Sequence, residues 1–205
     1  MKDTKDIKDI SIIDATPEDA DFIAWGIMEA VGPELVDQMA GEDGTPEDVH
    51  LVFSRLALRD DSQYSYLNTR IALASDGQKA GVCVSYDGAD LIELRKTFFE
   101  EATRQLGWEI SEEEIASMKP ETTEEEYYLD SLMTLPEYRG RGVARQLILD
   151  ADKKAVIKNK PLGLLCDKTN TRARRLYESV GFKAVGKRPF AGHDMDHLQL
   201  RAIGK

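Results

Sequence analysis

The sequence predicts an α/β (α+β) fold in which one sheet is flanked by helices. Three observations predict it. Helices with clear cap signatures come first, β-suited runs at 69–74 and 80–86 form a hairpin, and strand and helix alternate from residue 127 onward. Taken in order, residues 1–9 are polar and expected to fray, and Ser11-Ile12-Ile13-Asp14-Ala15 suits a short first strand. Thr16-Pro17-Glu18-Asp19 then reads as a helix start, with Thr as N-cap, proline in the first turn and acids at the positive helix end. Ile23, Ile27, Ala30 and Val31 continue it at helical spacing. The signature recurs at Thr45-Pro46-Glu47-Asp48, followed by Val49, Val52, Phe53 and Leu56 at i, i+3, i+4 and i+7. Gly32-Pro33 and Gly41-Glu42-Asp43-Gly44 punctuate the interval as loops.

The hairpin turns at Ser75-Asp76-Gly77-Gln78-Lys79, where Asp-Gly supplies the tight turn. Residues 87–126 change character. Leu91, Leu94, Phe98, Ala102 and Leu106 share one helical stripe that Gly107 stops, and Ser111-Glu112-Glu113-Glu114 caps a shorter helix ending before Pro120. This stretch is expected to be a helical insertion in a smaller core. Strand 127–135, helix 143–158, strand 162–166, helix 171–180 and strands near 183–188 and 195–201 complete the chain. No linker or low-complexity segment divides residues 1–205, so one domain is expected.

Composition narrows the function. The 205 residues carry 27 Lys+Arg against 38 Asp+Glu, a formal charge of 27 − 38 = −11, which repels phosphate backbones and argues against nucleic-acid binding, including a helix-turn-helix regulator. No apolar run approaches the ~20 residues that span a bilayer, and the amino terminus lacks the apolar core of a signal peptide. Cys83 and Cys166 each lie in an apolar run without metal spacing, as expected of buried thiols in a reducing, cytoplasmic setting.

The chemistry concentrates in Leu132–Leu147, LMTLPEYRGRGVARQL. A strand ends at Leu135, Pro136 prevents its continuation, and Arg139-Gly140-Arg141-Gly142-Val143-Ala144 opens a helix. Two glycines there let backbone N–H groups approach a ligand, the helix end adds partial positive charge, and two arginines add donors, all suited to a pyrophosphate. The alternative is a tight packing turn. The turn is neither a P-loop nor a dinucleotide fingerprint, since Gly-Lys-Ser/Thr and the third glycine are missing. In Asn170–Phe182, Ala173, Leu176, Tyr177 and Val180 form an apolar helical face, Asn170 is placed to cap and Gly181 to stop the helix.

Together the two segments resemble a known family. Arg-x-x-Gly-x-Ala after a strand ending in Leu-Pro resembles motif A of the GNAT superfamily of acetyl-CoA-dependent N-acetyltransferases, and Asn-x-x-Ala-x-x-Leu-Tyr-Glu-x-x-Gly-Phe resembles its motif B. The match is best over residues 127–190. Thr134 stands where the family usually has valine, and the insertion at 87–126 is longer than usual. The resemblance implies a central mixed, mostly antiparallel sheet of about six to seven strands, splayed between the fourth (127–135) and fifth (162–166), with helices on its flanks.

It also implies a reaction: direct attack of a primary amine on acetyl-CoA as co-substrate, with no metal. Main-chain groups of Leu132, Met133 and Thr134 would bind pantetheine. The N–H groups of Arg139, Gly140, Arg141, Gly142, Val143 and Ala144 would cradle the pyrophosphate, and Asn170 would contact pantetheine or phosphates. Tyr177 would face the thioester sulfur as proton donor. For the base, alternation puts Glu126, Tyr128 and Asp130 on one face, making Glu126 and Asp130 the candidates, although Glu126 also reads as the end of a solvated acidic run. His193 and His197 tempt a metal reading, but on a strand they do not converge. Trp25 and Trp108 suit packing or the acceptor pocket. The expected partner is a small-molecule amine or lysine-like group, favoured as a cation by the acidic run from Glu121, with neither nucleic acid nor membrane; a homodimer is left open. The alternative function is a non-catalytic acyl-CoA-binding module of the same fold.

Overall fold

The computed structural model describes residues 10–201; the expected fraying of 1–9 lies outside them. Seven strands form one sheet: β1 (Ser11–Asp14), β2 (Thr69–Leu73), β3 (Lys79–Asp87), β4 (Tyr127–Thr134), β5 (Leu162–Cys166), β6 (Lys183–Phe190) and β7 (His193–Leu200), in the order β1-β2-β3-β4-β5-β7-β6. Every neighbouring pair is antiparallel except β4 and β5. Those two pair in parallel only at Tyr127–Leu162 and Tyr128–Gly163, and then part. The sheet is therefore mixed, mostly antiparallel and splayed where expected. Alternation of strand and helix points to parallel pairs more generally; the hairpin returns of β6 and β7 leave just this one.

The helices grow from their caps. α1 (Ala20–Val31) extends a 3-10 turn at Pro17–Asp19, and α3 (Pro46–Leu58) starts at Thr45, each with the reciprocal Thr/Asp box at its start. Val49, Val52, Phe53 and Leu56 are all buried. Between the two lies α2 (Pro33–Ala40), where the sequence suggests only loop punctuation. The same residues explain it: Pro33 starts the helix and Gly41, at φ 71°, ends it, so the punctuation brackets one short helix. The insertion forms α4 (Leu91–Leu106), stopped by left-handed Gly107, and α5 (Glu112–Ser117), boxed by Ser111 and Glu114. α6 (Val143–Ile157) and α7 (Thr171–Val180) complete the fold.

Two apolar clusters flank the sheet. α1, α2 and α3 bury one against Ile71, Val82, Val84, Tyr86, Tyr128 and Met133, with α4 packed on it through Leu94, Phe98 and Leu106. α6, Tyr177 and Phe182 bury the other against Cys83, Leu129, Leu162, Leu164 and Leu198. Both cysteines are buried and free. No helix among the described residues is long and apolar enough to cross a membrane.

The pairing of β3 with β4 is irregular at one point. Leu129 opposes Ser85 and Ser131 opposes Val84, so Asp130 is an extra residue in β4. The bulge changes the alternation. Tyr128 and Met133 pack in the α1 cluster, while Leu129 and Leu132 pack in the α6 cluster. A regular strand would have put Leu132 on the side of Tyr128.

Candidate active site

After β4, Pro136–Tyr138 makes a single 3-10 turn, and Gly140 and Gly142 both adopt positive φ, 77° and 86°. Those angles turn the chain back into α6 with no side chain capping its start. The first bond of the helix runs from Gln146 N–H to the Gly142 carbonyl at 3.0 Å. Helix geometry therefore leaves the N–H groups of Val143, Ala144 and Arg145 without intrahelical acceptors. Arg139 donates through Nε to the Thr134 carbonyl at 3.0 Å, tying the turn to the end of β4. Arg141 instead lies over the Tyr138 ring, 5.4 Å from its centroid.

Across the splay, the Asn170 side-chain oxygen accepts from Ala173 N–H at 3.0 Å and caps α7. Gly181 ends that helix in the left-handed region at φ 117°. Tyr177 is buried, its ring 5.7 Å from that of Phe182. Its hydroxyl has no hydrogen-bond partner among the described residues. Burial, then the nearby Cys166 and Cys83 sulfurs, holds its pKa well above the ordinary tyrosine value.

These parts meet at one cavity of about 630 Å³. Leu132, Met133, Thr134, Arg139, Gly140, Gly142, Val143, Ala144, Asn170 and Tyr177 all line it, so the structure brings together nearly every residue that the two motifs single out. Arg141 does not line it. Glu29, Tyr138, Arg145, Arg172, Ala173 and Leu176 do, although neither motif points to them as ligand contacts. The wall also holds the Thr134 hydroxyl, which is buried and unpartnered within the described chain.

The family model described as an acetyltransferase (GNAT) domain matches residues 68–184, more than half of the sequence. This chain belongs to the GNAT acetyltransferase family. An N-acetyltransferase from Staphylococcus aureus Mu50 is similar at 24% identity and TM-score 0.71, over 93% of this chain and 100% of that one. A structure described as a histone acetyltransferase HPA2 and related acetyltransferase, from Corynebacterium glutamicum ATCC 13032, is similar at 19% identity and TM-score 0.63, over 93% and 95%. Likeness at this identity speaks for the fold. No curated protein matches the chain in sequence.

Three carboxylates of this GNAT domain differ sharply in setting. Glu126, just before β4, is wholly buried rather than the end of a solvated run, while Glu124 and Glu125 are exposed. It accepts hydrogen bonds from Thr122 Oγ1 at 2.7 Å, His197 Nε2 at 2.8 Å and Gln199 Nε2 at 2.7 Å. Arg188 Nε reaches His197 Nδ1 at 3.4 Å, which assigns the donor proton to Nε2. Burial opposes ionisation, but the donors from His197, Gln199 and Thr122 outweigh it and hold the pKa below the ordinary carboxylate range. The stability Glu126 contributes is thus present above about pH 4.3, the unfolded value, and is lost as pH falls through the lowered folded value. His197 is committed to this cluster and His193 is exposed. No group of three or more His, Cys, Asp or Glu side chains among the described residues is placed to hold a metal.

The Glu126 cluster bridges β4, β5 and β7 where the sheet begins to splay. Gly163 makes room for it, since a Cβ there would overlap the carboxylate. Gly163→Ala should therefore expel Glu126 from its donors and cost about 3–5 kcal/mol in denaturant unfolding, the usual effect of breaking a buried charge network. In a double-mutant cycle with Glu126→Ala the two losses should fall well short of additive.

Asp130, the extra residue of the bulge, is different. It is half-buried and accepts from Tyr86 Oη at 2.7 Å and Ser131 Oγ at 2.9 Å, and Gln63 faces it. Burial pushes its pKa up, and those donors offset only part of the shift. Glu121, from the end of the insertion, has only 12% of its side chain exposed and lies 3.6 Å from Arg95 Nη1. Burial, then the Asp130 charge, pushes its pKa up to about 6. No periodicity marks Glu121 off from its acidic neighbours, and its burial depends on α4, so in the sequence it reads only as part of a charged run.

Proposed function

We propose that residues 1–205 form one N-acetyltransferase domain that moves an acetyl group from acetyl-CoA directly to a primary amine. The observation that carries this is the single cavity joining the end of β4, the 139–145 turn and the start of α7 at the splay. Its donor set fits the co-substrate. The unpaired N–H groups of Val143, Ala144 and Arg145, with the Arg145 and Arg172 side chains nearby, suit a pyrophosphate. The apolar side chains and backbone of Leu132–Thr134 suit the pantetheine arm.

In this reading the amine gives up a proton, its lone pair forms a C–N bond at the thioester carbonyl, and the C–S bond breaks. Asp130 is the favoured base, acting directly or through a water, because it sits two residues from cavity-lining Leu132 and its raised pKa brings a carboxylate closer to neutrality. Glu126 is less suited: three donors occupy its carboxylate and lower its pKa. A backbone N–H near Met133 would stabilise the oxyanion, and Tyr177 would give its proton to the departing sulfur. The buried free thiols are in keeping with a cytoplasmic setting.

Thermal unfolding with and without acetyl-CoA, run beside thiol release on a panel of amines, tests the proposal. Stabilisation with amine-dependent thiol release is expected. Stabilisation with no turnover on any amine would leave the non-catalytic acyl-CoA-binding module standing, and no stabilisation would overturn the cavity's assignment.

A further inference from the structure

A second cavity, of about 480 Å³, lies on the α1 side of the sheet, between α1–α3, the insertion and the tip of the β6–β7 hairpin. Rings build much of its wall. Phe98 packs against Phe53 (centroids 6.3 Å apart), Tyr64 (6.1 Å), Phe99 (5.3 Å) and Trp108 (5.8 Å), mostly edge to face. The Trp108 N–H is already satisfied by the Met39 carbonyl at 3.0 Å, so this wall offers a planar, apolar surface.

The polar groups gather elsewhere in the cavity. Glu121 and Arg95 line it, as does Gln63, which faces Asp130. Gln63 and Arg95 are both more than nine-tenths buried, yet Gln63 Oε1 and Arg95 Nε have no partner among the described residues. The orphaned Gln63 Oε1, close to Glu121 and Asp130, is an acceptor that an ammonium group can pair, and it costs free energy until one does; Arg95 Nε, a donor, is not paired by such a group. Asp130 lines neither cavity, but it lies two residues from Leu132, which lines the first, and faces Gln63, which lines the second.

We propose that this cavity takes the acceptor and that the acceptor is a primary arylalkylamine, its ring against Phe98 and Trp108 and its nitrogen toward Gln63, Glu121 and Asp130. This rests on the acetyl-transfer proposal and narrows it. The volume falls in the range usual for small-molecule sites. Polyamines and aminoglycosides carry charges along their whole length, which the ring-lined wall leaves unpaired.

The test compares β-phenethylamine and tryptamine with spermidine, kanamycin and a blocked lysine, by thiol release from acetyl-CoA and by tryptophan fluorescence without it. At least tenfold higher kcat/KM for the ring-bearing amines is expected, with a saturable change in protein fluorescence on adding β-phenethylamine that is lost in Trp108→Phe. Leu35→Asp, on the half-buried wall formed by α2, should raise KM for phenethylamine at least tenfold and leave acetyl-CoA affinity within about twofold. A preference for spermidine, kanamycin or the lysine, or acetyl-CoA binding with no turnover of either arylalkylamine, overturns the acceptor assignment alone. Failure to bind acetyl-CoA overturns the acetyl-transfer proposal beneath it.

Discussion

Tyr177→Phe is expected to lower kcat by about 10²-fold or more while acetyl-CoA affinity stays within about threefold. The hydroxyl lines the cavity but has no partner among the described residues, so its removal deprives the resting protein of no hydrogen bond. Its ring, packed on Phe182, is kept by the substitution. Because burial holds its pKa above the usual value, the group stays protonated through any ordinary assay range. Its contribution grows only as charge develops on the sulfur, which places the loss in the chemical step. Steady-state kinetics beside equilibrium binding of acetyl-CoA provide the check. Wild-type turnover in the Phe variant would return Tyr177 to a packing role.

The second large effect is expected at the head of α6. Gly142→Asp should weaken acetyl-CoA binding by about 10²-fold, and Gly142→Asn by about tenfold. Both side chains tolerate the left-handed φ of 86° better than most, and both can reach the free N–H groups of the first turn as N-caps. The carboxylate also sets a negative charge where the pyrophosphate is proposed to lie. The difference between the variants reports that charge. Folding stability should change little, because a better cap offsets the strained backbone. Titration calorimetry beside thermal unfolding separates the two. Unchanged affinity in the Asp variant would refute the cradle.

Legibility of the fold tracks the range of the interactions involved. Thr16, Thr45 and Ser111 announce helix starts because their caps close within three residues, and all three boxes form. The Asn170–Phe182 segment is equally readable, since its cap, apolar face and glycine stop are local. The 33–40 helix escapes a reading of the sequence although both its ends are marked, because eight residues give too short a stripe to see. The settings of the carboxylates are not readable. Glu126 is decided by His197 and Gln199, more than seventy residues away, and by the lack of a side chain at Gly163. Arg95 falls within the apolar stripe of α4, four residues after Leu91 and three before Phe98, and is buried as a charge only because it bonds the Ile115 and Met118 carbonyls and faces Glu121. The partners of Glu126 and Arg95 lie twenty or more residues away, apart from Thr122, and helical or strand periodicity says nothing about them.

The strand order β5-β7-β6 also sets a timetable for a chain leaving the ribosome. Once β4 is made, strands β1 to β4 have all their antiparallel neighbours. β5, joined to β4 by only two residue pairs, exposes a bare edge until His193–Leu200 arrive to cover it. The donors His197 and Gln199 arrive in the same stretch, so Glu126 waits without two of its three partners until then. A polypeptide stopped short of His193 is therefore left with an open strand and a carboxylate lacking two of its three donors, both of which invite aggregation and degradation.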